Sequence, residues 1–199
     1  MAEVRPTGSG KMFQEIQTDK LLLRNLVSED AAPMFAYRSH PEICQYQSWE
    51  PKSVQEVESF IDTISKKEFD TTGWYQIAIV LENDGSLIGD CGIHILEDDR
   101  RLAEIGISLA PERQGNGYAT EALNAVLNML FVDLRKHRVF ASVDPLNLPS
   151  MTLMKRLGLR QEAHFVQSLW FKEKWVDDVV FGMLQTEWQL TSAIQKRES

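Results

Sequence analysis

The chain has 199 residues, a length that fits one domain with a single substantial core. Hydrophobic residues make up 43% of it and charged residues 25%, which is ordinary for a globular protein in water. The formal net charge of −8 argues against a nucleic-acid partner and weakly favours cationic, amine-bearing ligands. No window approaches about 18 consecutive apolar residues, so we expect no membrane span.

The cysteines and histidines give no sign of a disulfide framework or a metal centre. Cys44 and Cys91 lack metal-ligand spacing, and we expect both to be small core residues in a reducing compartment. His137 and His164 have no partner at metal-ligand spacing, so no metal site is predicted. These features favour a cytoplasmic location.

The chain contains no internal repeat and no linker that would divide it. Residues 1–11 are rich in Gly, Ser and Pro but lack the apolar stretch of a signal peptide. We therefore predict a flexible leader at 1–17, one domain at 18–190 and a polar tail at 191–199.

The first predicted elements are a strand at 21–26 and a helix at 28–40, with Pro33 in the first turn of that helix. Ser53 and Glu56 match a capping box, and apolar residues at helical spacing extend the second helix to about residue 69.

The middle of the chain is rich in β-structure. Strands at 75–81 and 87–96 flank the turn signal at 83–85, and a third strand occupies 102–109. A long helix then begins near Gly117 and keeps one apolar face through Leu134.

A strand at 138–143 opens the last third of the chain. Ser150 could cap a short helix that Gly158 would end, and residues 161–171 and 175–184 form a hairpin-like pair. Taken together, the elements predict a mixed α/β layer fold.

The turn between the strand at 102–109 and the long helix is the most informative stretch. Gly115 and Gly117 leave backbone N–H groups bare at a helix start, where the helix dipole also favours an anion. A dinucleotide fingerprint would need glycine where Thr120 stands, and no Lys-Ser/Thr pair of a nucleotide P-loop follows. A plain turn, with glycines only for its geometry, is the alternative.

Read as Gln114-x-x-Gly117-x-Ala119, the turn looks like the pyrophosphate-binding loop of the GNAT-type N-acetyltransferases, which hold acetyl-CoA. Further segments resemble the branch of ribosomal-protein N-terminal acetyltransferases (RimJ/RimL type). They are residues 21–24, 87–90, 103–107, 147–150, 157–159 and 175–178. The resemblance spans residues 21–188 and implies the GNAT acyl-CoA N-acyltransferase fold, a mostly antiparallel sheet of about seven strands with about four flanking helices.

In that family the backbone grips the cofactor more than side chains do. The resemblance implies a phosphate cradle formed by Gln114, Gly115, Asn116, Gly117, Tyr118, Ala119 and Thr120. It also implies that the pantetheine arm runs along the strand through Ile105, Ile107 and Leu109, with a bulge at Gly106. Asn147 matches a residue that bonds the cofactor's amide region, or it is a turn residue that bonds its own backbone.

Glu104 is the expected general base, because it matches the glutamate of several GNAT enzymes and its apolar neighbours would raise its pKa. Alternatively, it faces solvent or pairs with Arg100 or Arg101. Ser150 matches a serine proposed as the acid in this branch, or it is only a helix cap. The family's tyrosine acid is absent from residues 144–157, which leaves that role open, and the backbone N–H near Ile107 would hold the carbonyl oxygen.

Several other side chains could contribute to an acceptor pocket. His94 could line it or sit hydrogen-bonded in the core, and we favour the core. Asp90 and Glu50 could meet an ammonium group, but we favour the alternative that both are solvated surface carboxylates. The aromatic residues that could form its wall, although we expect most to be core, are Tyr46, Trp49, Trp74, Trp170 and Phe171.

The expected function is transfer of an acetyl group from acetyl-CoA to a primary amine, by direct attack in a ternary complex. The acceptor is either an amine-bearing small molecule or a protein N-terminus, since no sequence element fixes it. The rival is a non-catalytic acyl-CoA-binding or sensing protein. A homodimer could form through the terminal strands, where Trp170, Phe171 and Trp175 could be exposed.

Overall fold

The computed structural model describes residues 12–190, and its centre is one sheet of eight strands. The spatial order is β1-β2-β3-β4-β5-β6-β8-β7, and β5 and β6 run parallel while the other described neighbours are antiparallel. The strands are β1 (Ile16–Gln17), β2 (Leu21–Asn25), β3 (Gly73–Leu81), β4 (Leu87–Ile95), β5 (Leu102–Leu109), β6 (Arg138–Val143), β7 (Arg160–Phe171) and β8 (Lys174–Leu184).

Five α-helices lie on the described part of the chain. They are α1 (Ala31–Arg38), α2 (Pro41–Cys44), α3 (Val54–Ser65), α4 (Tyr118–Asn128) and α5 (Leu148–Arg156). Single 3₁₀ turns occupy Ser28–Asp30 and Pro111–Arg113, and a π-helical turn at Met129–Asp133 continues α4.

The sheet separates two apolar cores. Successive residues of a strand point to opposite faces, so Ile77 and Ile79 join the larger core while Ala78 and Val80 join the smaller one. Helices α4 and α5 pack into the larger core, and α1 and α3 into the smaller. The mixed α/β prediction is confirmed.

The sheet opens between β5 and β6, which pair at only three positions. Those pairs end at Glu104 and Phe140, beyond which β5 stays paired with β4 and β6 with β8. The facing edges of the two strands therefore present backbone donors and acceptors to the gap.

The bulge predicted at Gly106 is wrong. The β4–β5 register runs without a shift from Gly89↔Leu109 to Ile95↔Ala103, and Gly106 lies opposite Gly92. The strands diverge without an inserted residue, because each keeps its pairing with its outer neighbour.

Several predicted boundaries also differ. Phe13 is buried against Phe69, and Ile16–Gln17 adds an eighth strand. The prediction of a flexible leader is therefore wrong for residues 12–17. The rest of the predicted leader, residues 1–11, and the predicted tail, residues 191–199, lie outside the described residues. The second helix ends at Ser65 instead of about residue 69, because the Phe69 ring turns into the core against Tyr75.

Candidate active site

The turn before α4 has the geometry of an anion site. Gly115 and Gly117 adopt φ values of +76° and +84°, in the left-handed region that favours glycine. The first backbone hydrogen bond of α4 runs from the Glu121 N–H to the Gly117 carbonyl, at 3.1 Å. The N–H groups of residues 118–120 precede that bond, so they are first-turn donors at the positive end of the helix dipole.

Two polar side chains stabilise this turn by hydrogen bonds to nearby backbone carbonyl groups. Gln114 Nε2 donates to the Leu109 carbonyl at 3.2 Å, while Asn116 Nδ2 donates to the carbonyls of Arg113 and Gln114 at 3.3 and 3.0 Å. The side chains of Gln114 and Asn116 therefore shape the loop, and the backbone amides are the groups left to meet an anion.

Arg156 adds a positive charge that sequence reasoning missed. Its Nη1 lies 3.5 Å from Thr120 Oγ1, which brings the last turn of α5 to the start of α4. The two residues are 36 positions apart, so only the packing of the two helices brings them together.

A cavity of about 670 Å³ occupies the gap between β5 and β6. The cavity is lined by one basic residue, Arg38, and by four acidic residues. The acidic residues are Glu104, Asp144, Asp177 and Asp178. This excess of negative charge favours a cationic occupant.

All five aromatic side chains proposed for the pocket line this cavity, so the preference for core packing is wrong. Phe60 joins them and its ring lies 4.5 Å from that of Trp49. Trp170 on β7 is 62% exposed, and Trp175 on β8, outside the cavity, is 56% exposed, while Phe171 is half-buried.

Glu104 lies at the last paired position before the strands diverge, and it lines the cavity. Burial raises the pKa of its carboxyl; His94, whose Nδ1 lies 3.5 Å from Glu104 Oε2, lowers it, and Asp178 raises it. Arg100 and Arg101 are not its partners, since they bond Asp70 and Asp99. The arginine-paired reading of Glu104 is wrong, and its side chain, 23% exposed, opens onto the cavity.

His94 lies beside Glu104 in the β4–β5 register and is not a core residue. Its ring stacks on that of Trp74, with centroids 4.9 Å apart and planes 13° apart. The side chain is 27% exposed, which leaves it access to solvent.

Asn147, and not Ser150, caps α5. Asn147 Oδ1 accepts the Ser150 N–H at 3.2 Å, which puts Ser150 at the third position of the helix. The Asp144–Asn147 turn places Asn147 directly before the first residue of the helix, so the cap reading of Ser150 is wrong.

Asp90 is fully buried, against the expectation of a solvated carboxylate. Its Oδ1 accepts from Tyr37 Oη at 2.5 Å and from Arg38 Nε at 3.0 Å, and its Oδ2 accepts from Arg38 Nη2 and Gln76 Nε2. Arg38 and Gln76 line the cavity, so Asp90 fixes part of its floor from below. The same network, and above all burial, raises the pKa of Tyr37 well above its ordinary value.

Glu50 is half-exposed and engaged by two lysines. Its Oε1 pairs with Lys52 Nζ at 2.9 Å and its Oε2 with Lys172 Nζ at 3.3 Å. These contacts hold the pKa of Glu50 below its ordinary value, the Lys52 hydrogen bond being the larger cause.

Among the residues that the structure describes, no group of three or more His, Cys, Asp and Glu side chains could hold a metal ion. Cys44 and Cys91 are both free thiols. No helix within residues 12–190 is long and apolar enough to cross a membrane.

Comparison with known proteins matches the model of the acetyltransferase (GNAT) domain to residues 20–160. An uncharacterised N-acetyltransferase of Bacillus licheniformis, p20, is 27% identical over 88% of this chain and 99% of its own. Another, YoaA of Bacillus subtilis, is 30% identical over 87% of this chain and 98% of its own.

Solved structures have the same fold. A GNAT acetyltransferase from Bacillus anthracis superposes with a TM-score of 0.79 at 23% identity, covering 87% of this chain and all of that one. The ribosomal-protein-S5-alanine acetyltransferase from Vibrio fischeri gives 0.77 at 19% identity, over 88% and 99% of the two chains. Spermidine N-acetyltransferase from Vibrio cholerae, in complex with CoA and spermine, gives 0.74 at 24%, over 86% and 99%.

The chain therefore belongs to the GNAT acetyltransferase family. It is an acetyl-CoA-dependent N-acetyltransferase, and the reading as a non-catalytic sensor is not favoured.

Replacing Asp90 tests the buried network. Asp90→Ala leaves the Arg38 guanidinium buried without its carboxylate, so we expect the free energy of unfolding to fall by about 3–5 kcal/mol. Urea denaturation measures the change. Asp62→Ala, which removes an exposed pair with Lys66, is the control and should have little effect. Equal small losses in both variants would contradict the assignment.

Proposed function

We propose that this enzyme acetylates a small cationic primary amine held in the cavity between β5 and β6. The observation that carries the proposal is the lining of the cavity, which includes four acidic residues, six aromatic residues and one arginine that already pairs with Asp90. Carboxylates attract an ammonium group, and aromatic faces hold either a cation or the apolar part of an amine.

The rim of the cavity favours a small molecule over an extended peptide. At the tip of the β7–β8 hairpin, Lys172 Nζ donates to the Cys44 carbonyl at 2.6 Å, which ties the hairpin to the end of α2. Tyr46 Oη donates to the Leu146 carbonyl at 3.2 Å and joins the segment after α2 to the loop before α5. Together these two hydrogen bonds connect the two sides of the cleft. A groove that binds an extended peptide would have to be open at this place.

A protein N-terminal amine is the second candidate acceptor. The likeness to the fold of a ribosomal-protein acetyltransferase favours it, and the half-exposed hairpin aromatics offer a surface for a polypeptide. Its α-amine would enter the same cavity and meet the same carboxylates.

For acetyl-CoA we assign the backbone of residues 114–120 to the pyrophosphate, with Arg156 beside it. The edge of β5 at Ile105, Ile107 and Leu109 offers backbone groups to the pantetheine arm. Gly106 fits this path, because a Cβ placed there would meet no atom within 4 Å. Asn147 uses Oδ1 in its cap, so we assign a cofactor contact to its Nδ2.

For the chemistry we assign Glu104 as the general base. An alkylammonium must lose a proton before its nitrogen can attack the thioester carbonyl, and its pKa in water is about 10. Glu104 lines the cavity, and burial raises its carboxyl pKa, which makes the carboxylate a stronger base. The Ile107 N–H is assigned to the carbonyl oxygen and the Ser150 hydroxyl to the departing thiolate. We place the enzyme in the cytoplasm, where acetyl-CoA is supplied and its free thiols stay reduced.

Gly117→Ala tests the pyrophosphate loop. Alanine is strained at φ +84° by about 1–2 kcal/mol, and the loop escapes that strain by turning its amides away. We expect the Kd for CoA, measured by calorimetry, to rise about tenfold or more. The control is Gly85→Ala, which creates similar strain at φ +70° in the β3–β4 turn and should leave the Kd unchanged. Unaltered CoA binding by folded Gly117→Ala would count against the loop.

Glu104→Gln tests the base. The carboxyl must be ionised to accept a proton, so wild-type kcat/KM should climb with pH through a pKa raised above the ordinary glutamate value. The variant should lose that limb and about 10²- to 10⁴-fold in kcat while its Kd for CoA holds. Glu58→Gln on the exposed face of α3 is the control. A non-catalytic sensor would show no acetyl transfer in either protein.

Asp178→Asn tests the choice of acceptor. Asp178 accepts from Ser142 Oγ at 2.6 Å and its charge reaches Glu104, so it lies where an incoming ammonium would be held. With a panel of diamines, neutral amines and N-terminal peptides, we expect KM for cationic small amines to rise about tenfold, a loss of about 1.4 kcal/mol. Preferential loss of peptide turnover would instead favour the second candidate.

A further inference from the structure

Three side chains form a row across the cavity face of the sheet, one from each of three neighbouring strands. Trp74 of β3 lies opposite His94 of β4, and His94 lies opposite Glu104 of β5. The Trp74 and His94 rings stack at 4.9 Å, and His94 Nδ1 is 3.5 Å from Glu104 Oε2.

The row leads from the reacting end of the cavity toward solvent. Glu104 lies at the point where β5 and β6 part, whereas Trp74 is the second residue of β3 and is 46% exposed. His94 lies between them with 27% of its side chain exposed. The imidazole therefore contacts the carboxylate on one side and reaches water on the other.

A base inside such a cavity must also release the proton that it takes. Two charged groups lie beside this row: Asp178 from β8, and Lys67, which follows α3 and donates to the Trp74 carbonyl at 2.7 Å. Asp178 raises the pKa of Glu104 and so favours the protonated carboxyl group. Lys67 already donates to the Trp74 carbonyl. Within the row, His94 contacts Glu104 through one ring nitrogen and is also exposed to solvent, so it lies where a proton could pass from the carboxyl group to water.

We propose that His94 is a positioning residue that takes the amine's proton from Glu104 and releases it to water, once per turnover. The inference rests on the proposed role of Glu104 as base. The proton leaves the ammonium nitrogen for a Glu104 carboxylate oxygen and then passes to Nδ1 of the neutral imidazole. The proton on Nε2 passes to water, and exchange with water restores the first tautomer, so one proton moves from amine to solvent.

The test uses His94→Ala and His94→Gln with an amine that the wild type acetylates. Above the pKa of Glu104, the kcat plateau should fall about 10- to 100-fold in both variants while the Kd for CoA is unchanged. Because His94 lowers the pKa of Glu104, the acidic limb of kcat/KM should also move to higher pH.

Rescue of kcat by added imidazole distinguishes a role of His94 in proton transfer from a role in packing alone. Imidazole added at constant ionic strength should raise kcat of His94→Ala in proportion to its concentration, because the alanine leaves an open space beside Trp74. The wild type should not respond. His137→Ala, at an exposed histidine directly before β6 that is not paired with Glu104, is the control and should behave as wild type.

Circular dichroism establishes that each variant is folded, and His94→Gln serves as the plateau test should the alanine variant unfold. An unchanged plateau in a folded variant overturns the inference. A lowered plateau that imidazole does not raise in folded His94→Ala points to packing and overturns it as well. If the wild-type protein acetylates no amine, the proposed function is overturned instead. That outcome is distinct from failure of the His94 inference, because there the wild type is active.

Discussion

The early end of the β5–β6 pairing is the constraint on which the rest of this structure depends. After Glu104 and Phe140 the two strands stay bound to their outer partners, so each leaves one edge of its backbone without a strand to pair with. Those edges supply hydrogen-bonding groups, and the gap between them becomes the cavity. The phosphate-type loop follows directly from the end of β5, because the chain must turn there into α4.

Charge around this cavity is arranged in two layers: a floor in which the charges neutralise each other, and walls that carry negative charge. Beneath the floor, Asp90 uses both carboxylate oxygens on Tyr37, Arg38 and Gln76, so the Arg38 charge is neutralised where it meets the cavity. A buried pair of this kind adds little net stability, but removing one partner is costly. On the walls, the remaining carboxylates leave the cavity negative and suited to a cation.

The same negative charge affects binding and catalysis differently. Under the proposed function Asp178 would attract the ammonium group of the substrate. It also raises the pKa of Glu104, which makes that carboxylate more basic but slower to release a proton. His94 lowers that pKa from the other side and has contact with solvent. The proposed reaction, in which a cation is bound and then deprotonated, would need both influences on one carboxyl group.

The sequence by itself determined the glycine loop and the α/β class, because these depend on local backbone rules: left-handed glycines at a helix start and the spacing of apolar residues. The family followed from the resemblance of that loop and of further segments to known enzymes. The same resemblance proposed Glu104, and the structure places it on the cavity wall. Only the tertiary structure decided that Asp90 is buried, that Asn147 caps α5 in place of Ser150, and that His94 and Arg156 lie beside the site. Each of those depends on strand register or helix packing between residues distant in sequence, and no local pattern encodes such distances.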